Sequence, residues 1–402
     1  MLSRVPALLW VALGPLAAQN GSLDRLPERS DLRWAISISP PVLSNFQRLR
    51  MRITIRIDGK EIESRKGRGE FVFAAEFRDA SGNPFRTRTQ VELSEYQKAT
   101  SRHELECTLQ AFVLPGDYRI SLAVMESSTG QASVAHRAIH VSAPNNDPLP
   151  DAWRNLPAVE FIDAPDTPDL WFLPDERGRL ALAAENRGPL RVEILANISP
   201  SEGSRRQGRA YDRNMISILP AMKILSRIAL RSGTKNVTAV DVARRRVTYE
   251  QRDIESIDWP ALKAALESQN PNKIDARSLR DRDQNAQFFI DQAVRRASPG
   301  GAGEPVLIVL SGPLVFATHQ EMRPIEAPPK ARVFYIRFQG ITPAAFFASQ
   351  GGGRDTAPRP LPSAFTDELE RTLKPLQPRL FDIYSPGDFR KALAAILQEI
   401  EQ

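Results

Sequence analysis

The sequence has one cysteine, Cys107, and four histidines, His103, His136, His140 and His319, in 402 residues. A single thiol cannot close a disulfide within the chain, so the fold is not covalently stapled. Cys107 sits in the strand-like run HELECTLQAFVL (103–114), where a buried, inert thiol is expected. No Cys/His cluster occurs. His136 and His140 are four apart on a strand-like segment, which puts them on one face as surface residues rather than zinc ligands. A G-x-S-x-G nucleophile elbow is also missing, and His319 is the one histidine of the second half. The Gly-rich runs SPGGAG (298–303) and QGGGR (350–354) lack the Lys-Ser/Thr tail of a phosphate loop. These absences point away from a hydrolase or transferase.

Long apolar runs are missing too. Val5–Ala17 spans 13 residues, short of the ~20 that cross a bilayer. With Arg4 before it and Leu16-Ala17-Ala18 after it, the start reads as a signal peptide, 1–18, cleaved near Ala18–Gln19. No cysteine follows it to carry a lipid. The expected localisation is periplasmic or secreted, with no transmembrane segment in the mature chain.

Lysine is scarce, ten against forty-four arginines, and the net charge is +6. No long basic block forms, because 48 acidic residues are interleaved. A solvated Arg-rich surface is therefore expected, and no nucleic-acid partner. Hydrophobic residues make up 42%, enough for two domains with real cores.

The first of these is expected at 19–143. In RLRMRITIRIDGK, Leu49, Met51, Ile53, Ile55 and Ile57 share one face, and Arg48, Arg50, Arg52, Thr54 and Arg56 the other. Asp58-Gly59, Ser81–Pro84, Pro115–Asp117 and Ser128–Gly130 supply turn signals. Short strands with regular turns predict an all-β sandwich. Its Arg row is read as a charged edge or as a contact face, with Arg50, Arg52 and Arg56 as partner-contact candidates. Residues 144–184 are rich in Pro, Asn and Asp and read as a linker, pinned by Trp153 and Trp171.

Residues 185–402 alternate strand and helix: LRVEILANI, a helix through Met215–Ala229 interrupted by Pro220 and ended by Gly233, a β-turn-β at Arg244-Arg245, then PVLIVLSG, ARVFYIRF, RLFDIYS and a last helix capped by Ser385. The pattern predicts a Rossmann-like, mostly parallel sheet in a three-layer α/β domain. The order NISPSE, TAVDVARRRVTYE, VLIVLSG and FDIYSPGDFRKALAAILQEI resembles the von Willebrand factor A domain of exported VWFA-related proteins of the acidobacterial type.

The resemblance implies a magnesium site built on Asp-x-Ser-x-Ser, a Thr and a later Asp. Here those positions hold Asn197, Ser199, Ser201 and Ser311, and no Thr aligns; Ser278, Asp281, Asp283 and Asn285 offer no clear substitute. Loss of two carboxylates leaves little Coulomb return for stripping magnesium of water. A degenerate site is expected, with no metal or cofactor beyond weak residual magnesium. The implied function is a non-enzymatic interaction or adhesion module for an unknown envelope or extracellular protein. Asn197, Ser199, Ser201 and Glu202 are candidate contacts. Two alternatives stay open: an Arg-rich binder of polyanions or membrane surfaces, using Arg48–Arg56 and Arg244–Arg246, and a magnesium-dependent adhesion domain.

Overall fold

The computed structural model describes residues 23, 26–28, 32–65, 67–96, 102–163, 173, 177–199, 212–267, 281–314, 316, 320, 322–325, 329–339 and 367–402. The leader 1–18, Ser201, Glu202, Trp171, Ser278, His319 and QGGGR lie outside the described residues.

In chain order the strands are β1 (Trp34–Ile38), β2 (Val42–Leu43), β3 (Leu49–Ile57), β4 (Glu70–Arg78), β5 (Pro84–Glu92), β6 (Leu105–Val113), β7 (Gly116–Glu126), β8 (Ala132–Val141) and β9 (Val159–Ile162). They continue as β10 (Ala183–Ala184), β11 (Leu190–Asn197), β12 (Ala229–Leu230), β13 (Gly233–Asp241), β14 (Arg246–Gln251), β15 (Glu304–Ser311), β16 (Arg332–Phe338) and β17 (Arg379–Ile383). The helices are α1 (Gly59–Arg65), α2 (Asp212–Ser226), α3 (Trp259–Glu267), α4 (Asn285–Ala297), α5 (Glu368–Leu373) and α6 (Pro386–Ile400).

Four sheets result. One runs β1-β3-β6-β9 with β2 also on β3; a second, β5-β4-β7-β8, is antiparallel; a third is the parallel pair β10-β12; the fourth runs β14-β13-β11-β15-β16-β17. The last is mixed, since β14 pairs antiparallel with β13 while the other neighbours are parallel.

This corrects the expected fold class. The described chain is mostly strand, in antiparallel and mixed sheets, with six short helices of 6–15 residues. The fully parallel sheet is the small β10-β12 pair, and no clear three-layer von Willebrand A-like α/β arrangement is formed. The apolar runs that read as a sheet wrapped by helices specify buried strands; they do not by themselves specify what covers them.

The chain divides into two compact units. One takes Met1–Ser37, Thr54–Cys107 and Gly116–Val141; the other takes Ile38–Ile53, Thr108–Pro115 and Ser142–Gln402. The division falls within β3 and within β6.

In the first unit the hairpins β4–β5 and β7–β8 form at the expected turns. Gly82 and Gly130 supply the positive φ, at 81° and 71°. Phe71, Phe73, Phe77, Ile120, Leu122 and Val124 fill the core, each at 0% exposure, and Cys107 is buried. Glu76 is buried among them because Arg78 and Arg86 neutralise it at 2.6 and 2.5 Å. The hairpin expected at Asp58-Gly59 does not form. Asp58 Oδ1 instead accepts from Lys60 N at 2.8 Å and starts α1.

In the second unit the Pro-rich stretch is not merely a linker: its β9 pairs with β6, and its β10 with β12. Trp153 Nε1 donates to the Gln47 carbonyl at 2.7 Å. The Arg390 guanidinium of α6 stacks over that indole at 4.6 Å and donates to Asp147 Oδ1 and Oδ2 at 2.5 and 2.8 Å. Arg48 pairs with Glu160 at 2.6 Å, both buried. Residues 45–48, 147–160 and the last helix are thus one hydrogen-bonded assembly. Ser385 caps α6 as expected, accepting from Asp388 N.

Gly233 does not end a helix. The α2 helix stops at Ser226, with Pro220 inside it, and Gly233 opens β13 at φ 133°. A Cβ there would lie 2.0 Å from the Leu190 carbonyl oxygen, so close strand approach, not capping, demands glycine.

Candidate functional site

Parallel pairing lines up the carboxyl ends of β11, β13, β15 and β16. Asn197 ends β11 opposite Val240, and Ser311 ends β15 opposite Arg337. Asp241 follows one residue on. Of the residues read as a former metal site, Asn197, Ser199 and Ser311 are brought together here, joined by Asp241, all at 0–1% exposure.

Each polar atom has a partner. Asn197 Oδ1 accepts from Ser199 N at 3.0 Å, which fixes the amide so that Nδ2 donates to Ser311 Oγ at 2.9 Å. Ser311 Oγ in turn donates to the Gly312 carbonyl at 2.6 Å. Ser199 Oγ accepts from Val242 N at 2.5 Å and Ala243 N at 3.3 Å, and donates to Asp241 Oδ1 at 3.3 Å. Arg244 closes the loop, its N–H on Asp241 Oδ1 at 3.1 Å and its Nη1 on Oδ2 at 3.4 Å. Burial pushes the Asp241 carboxyl above its ordinary value, and the Arg244 charge and these hydrogen bonds offset that only in part.

A second carboxylate, missed in the sequence, anchors the other side. Asp367 Oδ2 accepts from Tyr335 Oη at 2.8 Å and Arg337 Nη1 at 3.3 Å; its Oδ1 accepts from Leu314 N and Leu369 N, both at 3.1 Å. Arg337 also binds Asp382 at 2.6 Å and Glu370 at 2.5 Å. Burial, then the Asp367 charge, holds the Tyr335 hydroxyl well above the usual phenol range. The available signal was Asp367 as N-cap in FTDELE, which names a helix start and not its tertiary partners.

This arrangement does not fit a divalent cation. Magnesium needs several unencumbered oxygens. At the Asn197 position an N–H₂ faces the serine, and both carboxylates are already engaged, Asp241 by Arg244 and Ser199 and Asp367 by Tyr335 and Arg337. Among the described residues, no three His, Cys, Asp or Glu side chains form a group that could hold a metal. As a nucleophile, Ser199 is poorly placed: two backbone donors occupy its oxygen and burial denies access. The mouth braces the strand ends.

The other predicted residues divide. Asn197 and Ser199 are buried and their side chains are engaged internally. Asp281 and Asn285 are drawn to Arg245, at 3.3 and 3.1 Å, so Arg244 and Arg245 point into the fold instead of forming a free basic turn. Arg50 and Arg52 are half-buried side by side on β3, while Arg56 is exposed and paired with Glu106 at 3.2 Å. His136 Nδ1 lies 2.9 Å from Ser121 Oγ, and His140 Nδ1 2.7 Å from Asp117 Oδ1.

No family model matches this chain, and no curated protein matches it. Among solved structures, the ApaA protein of Bordetella pertussis is similar over 30% of this chain and 98% of its own, at 14% identity and a TM-score of 0.17. A beta-glucosidase of Listeria innocua in complex with isofagomine is similar over 29% of this chain and 17% of its own, at 17% identity and a TM-score of 0.17. Likenesses this slight carry no inference about activity. Among the described residues no helix is long and apolar enough to cross a membrane.

Proposed function

We propose that this chain is a non-enzymatic interaction protein of the periplasm or extracellular space that binds an acidic face of another protein. The observation that supports this reading is the pair Arg50 and Arg52 on the outward side of β3. The Arg50 guanidinium is pushed down to about 10, first by burial and then by the Arg52 charge. Arg50 and Arg52 stand two residues apart on one side of β3, with Arg56 further along it, and this row of forked guanidinium donors suits carboxylates. The signal-like start supports export, and the sealed strand mouth supports a role other than catalysis.

The test is capture from envelope extract by wild type and by an Arg50→Ala/Arg52→Ala variant, at low and high salt. Loss of captured protein in the variant, at an unchanged melting temperature, supports the proposal. Equal capture by both proteins at both salt levels sinks it. Retention of anionic vesicles or polyanion in place of protein would favour the membrane or polyanion reading.

A further inference from the structure

A cavity of about 290 Å³ opens in the second unit, on the sheet face beneath the last turn of α4. It is remote in kind from the sealed mouth, since it is open and strongly charged. Its floor is Arg191 of β11 and Arg296 of α4, 9% and 5% exposed. Its rim is Arg252 and Arg295, both largely exposed. Two carboxylates face these four guanidiniums, Glu193 and Glu250.

The carboxylates do not balance the site. Glu250 is shared by Arg252, at 2.8 Å, Arg296, at 3.6 Å, and Arg295, at 3.8 Å. Glu193 accepts from Asn236 at 2.8 Å and lies 3.2 Å from Arg191 Nε, which is buried yet makes no hydrogen bond. Buried guanidinium nitrogens ordinarily find acceptors. The cavity therefore carries two positive charges in excess. Arg296 feels them: its guanidinium is pushed down to about 10, by burial first and by Arg295 next.

The turn after α4, the Gly-rich SPGGAG, borders the same cavity through Ser298, Pro299 and Gly300. Arg191 Nη2 donates to the carbonyls of Arg296 and Ser298, at 3.1 and 2.6 Å, and Arg296 Nε to Thr238 Oγ1 at 3.0 Å. Both floor arginines are thus pinned before any ligand arrives, which limits the ordering cost of binding.

We infer that this cavity binds a small phosphomonoester, its phosphoryl group among Arg295, Arg296 and Arg252 and its hydroxylated body toward Glu193 and Asn236. The charge decides the class. A phosphomonoester brings roughly −1.5 to −2 at neutral pH, with three acceptor oxygens for forked guanidinium donors. A monocarboxylate would leave one charge unmet. The volume, at the lower edge of the ~300–1,000 Å³ typical of small-molecule sites, admits a sugar-sized body and not a polymer. Glu193 and Asn236 are suited to hydroxyl groups. The inference does not rest on the Arg50 and Arg52 proposal.

Titration calorimetry at low ionic strength tests it, with inorganic phosphate and glucose 6-phosphate as probes. Saturable binding of both is expected, tighter for the sugar phosphate. The rim double variant Arg252→Ala/Arg295→Ala, which truncates two largely exposed side chains, should weaken binding by at least about tenfold. Glu250→Gln should tighten it, because the competing carboxylate is gone. An Arg50→Ala/Arg52→Ala protein should bind phosphate unchanged, which keeps this outcome separate from the interaction proposal. No heat from either probe at millimolar concentration, or equal affinity in the rim variant, overturns the inference. So does Glu250→Gln binding more weakly than wild type.

Discussion

Asn197 Nδ2 donates to Ser311 Oγ across 2.9 Å, tying the end of β11 to the end of β15. The bond converts what could have been a cation-facing oxygen into a donor. Magnesium at millimolar concentration should leave the melting temperature of the wild type unchanged. Asn197→Asp should lose about 1–3 kcal/mol at neutral pH, since it buries a charge and removes the donor. Thermal melts with and without magnesium check both statements. A rise of several degrees in the wild type on adding the metal would refute the reading of the mouth as a brace.

Asp241 sets a pH dependence with a definite sign. Its carboxyl is raised by burial, so the fold favours the protonated form. The stability it contributes is fully present below the ordinary value of 3.8 and is lost as pH rises through the folded value. Asp241→Asn removes that loss. The stability of the variant relative to wild type should therefore climb as pH rises above the ordinary value of 3.8 and level off once Asp241 is ionised in the folded protein. Urea unfolding across that range measures it; a difference that falls with rising pH would contradict the assignment.

Asp147 shows the opposite sign. Burial alone would raise its carboxyl, but the Arg390 hydrogen bonds, the Leu149 N–H and the Arg390 charge outweigh it and hold it low. Its contribution is present above 3.8 and disappears as pH falls through the folded value. Asp147→Asn should cost about 3–5 kcal/mol at neutral pH, because the buried Arg390 is left without its counter-charge. The gap to wild type should close in acid, and denaturation at two pH values reads it directly.

Gly233→Ala should destabilise by more than about 1 kcal/mol, from the positive φ together with the Leu190 carbonyl in the way of a Cβ. Gly82→Ala, at φ 81° with open space around it, should cost less. Equal costs would mean that φ, and not the close strand approach, sets the requirement at 233.

Period-two and apolar-run signals located β3, β11, β15 and β16, because strand patterning is local and strong. Caps were legible for the same reason, as at Ser385. The fold class was not. It depends on what covers each sheet and on pairing between distant segments, such as β9 with β6, which no local period encodes. Linker-like composition at 144–184 hid two strands, since Pro and Asp are compatible with short edge pieces. At the mouth, the residue types at 197, 199 and 311 were readable as lacking carboxylates. Their partners Asp241 and Asp367 lie 42 and 53 residues from the groups they bind, Ser199 and Leu314, so the closure of the network was not. The Arg cavity draws two or three residues from each of several segments, and SPGGAG alone gave no hint of it.

The clasp of Arg390 on Asp147 and the Gln47 carbonyl has a practical corollary for anyone cutting the gene. A recombinant piece beginning near 185 would retain the guanidinium of the last helix but discard its acceptors on Gln47, Asp147 and Leu149 and the indole beneath it. Such a fragment would emerge with a stranded cation and a gap where residues 45–48 belong. Equally, a ribosome must deliver the opening turns of α6, which carry Arg390, before the segment made some three hundred residues earlier can settle.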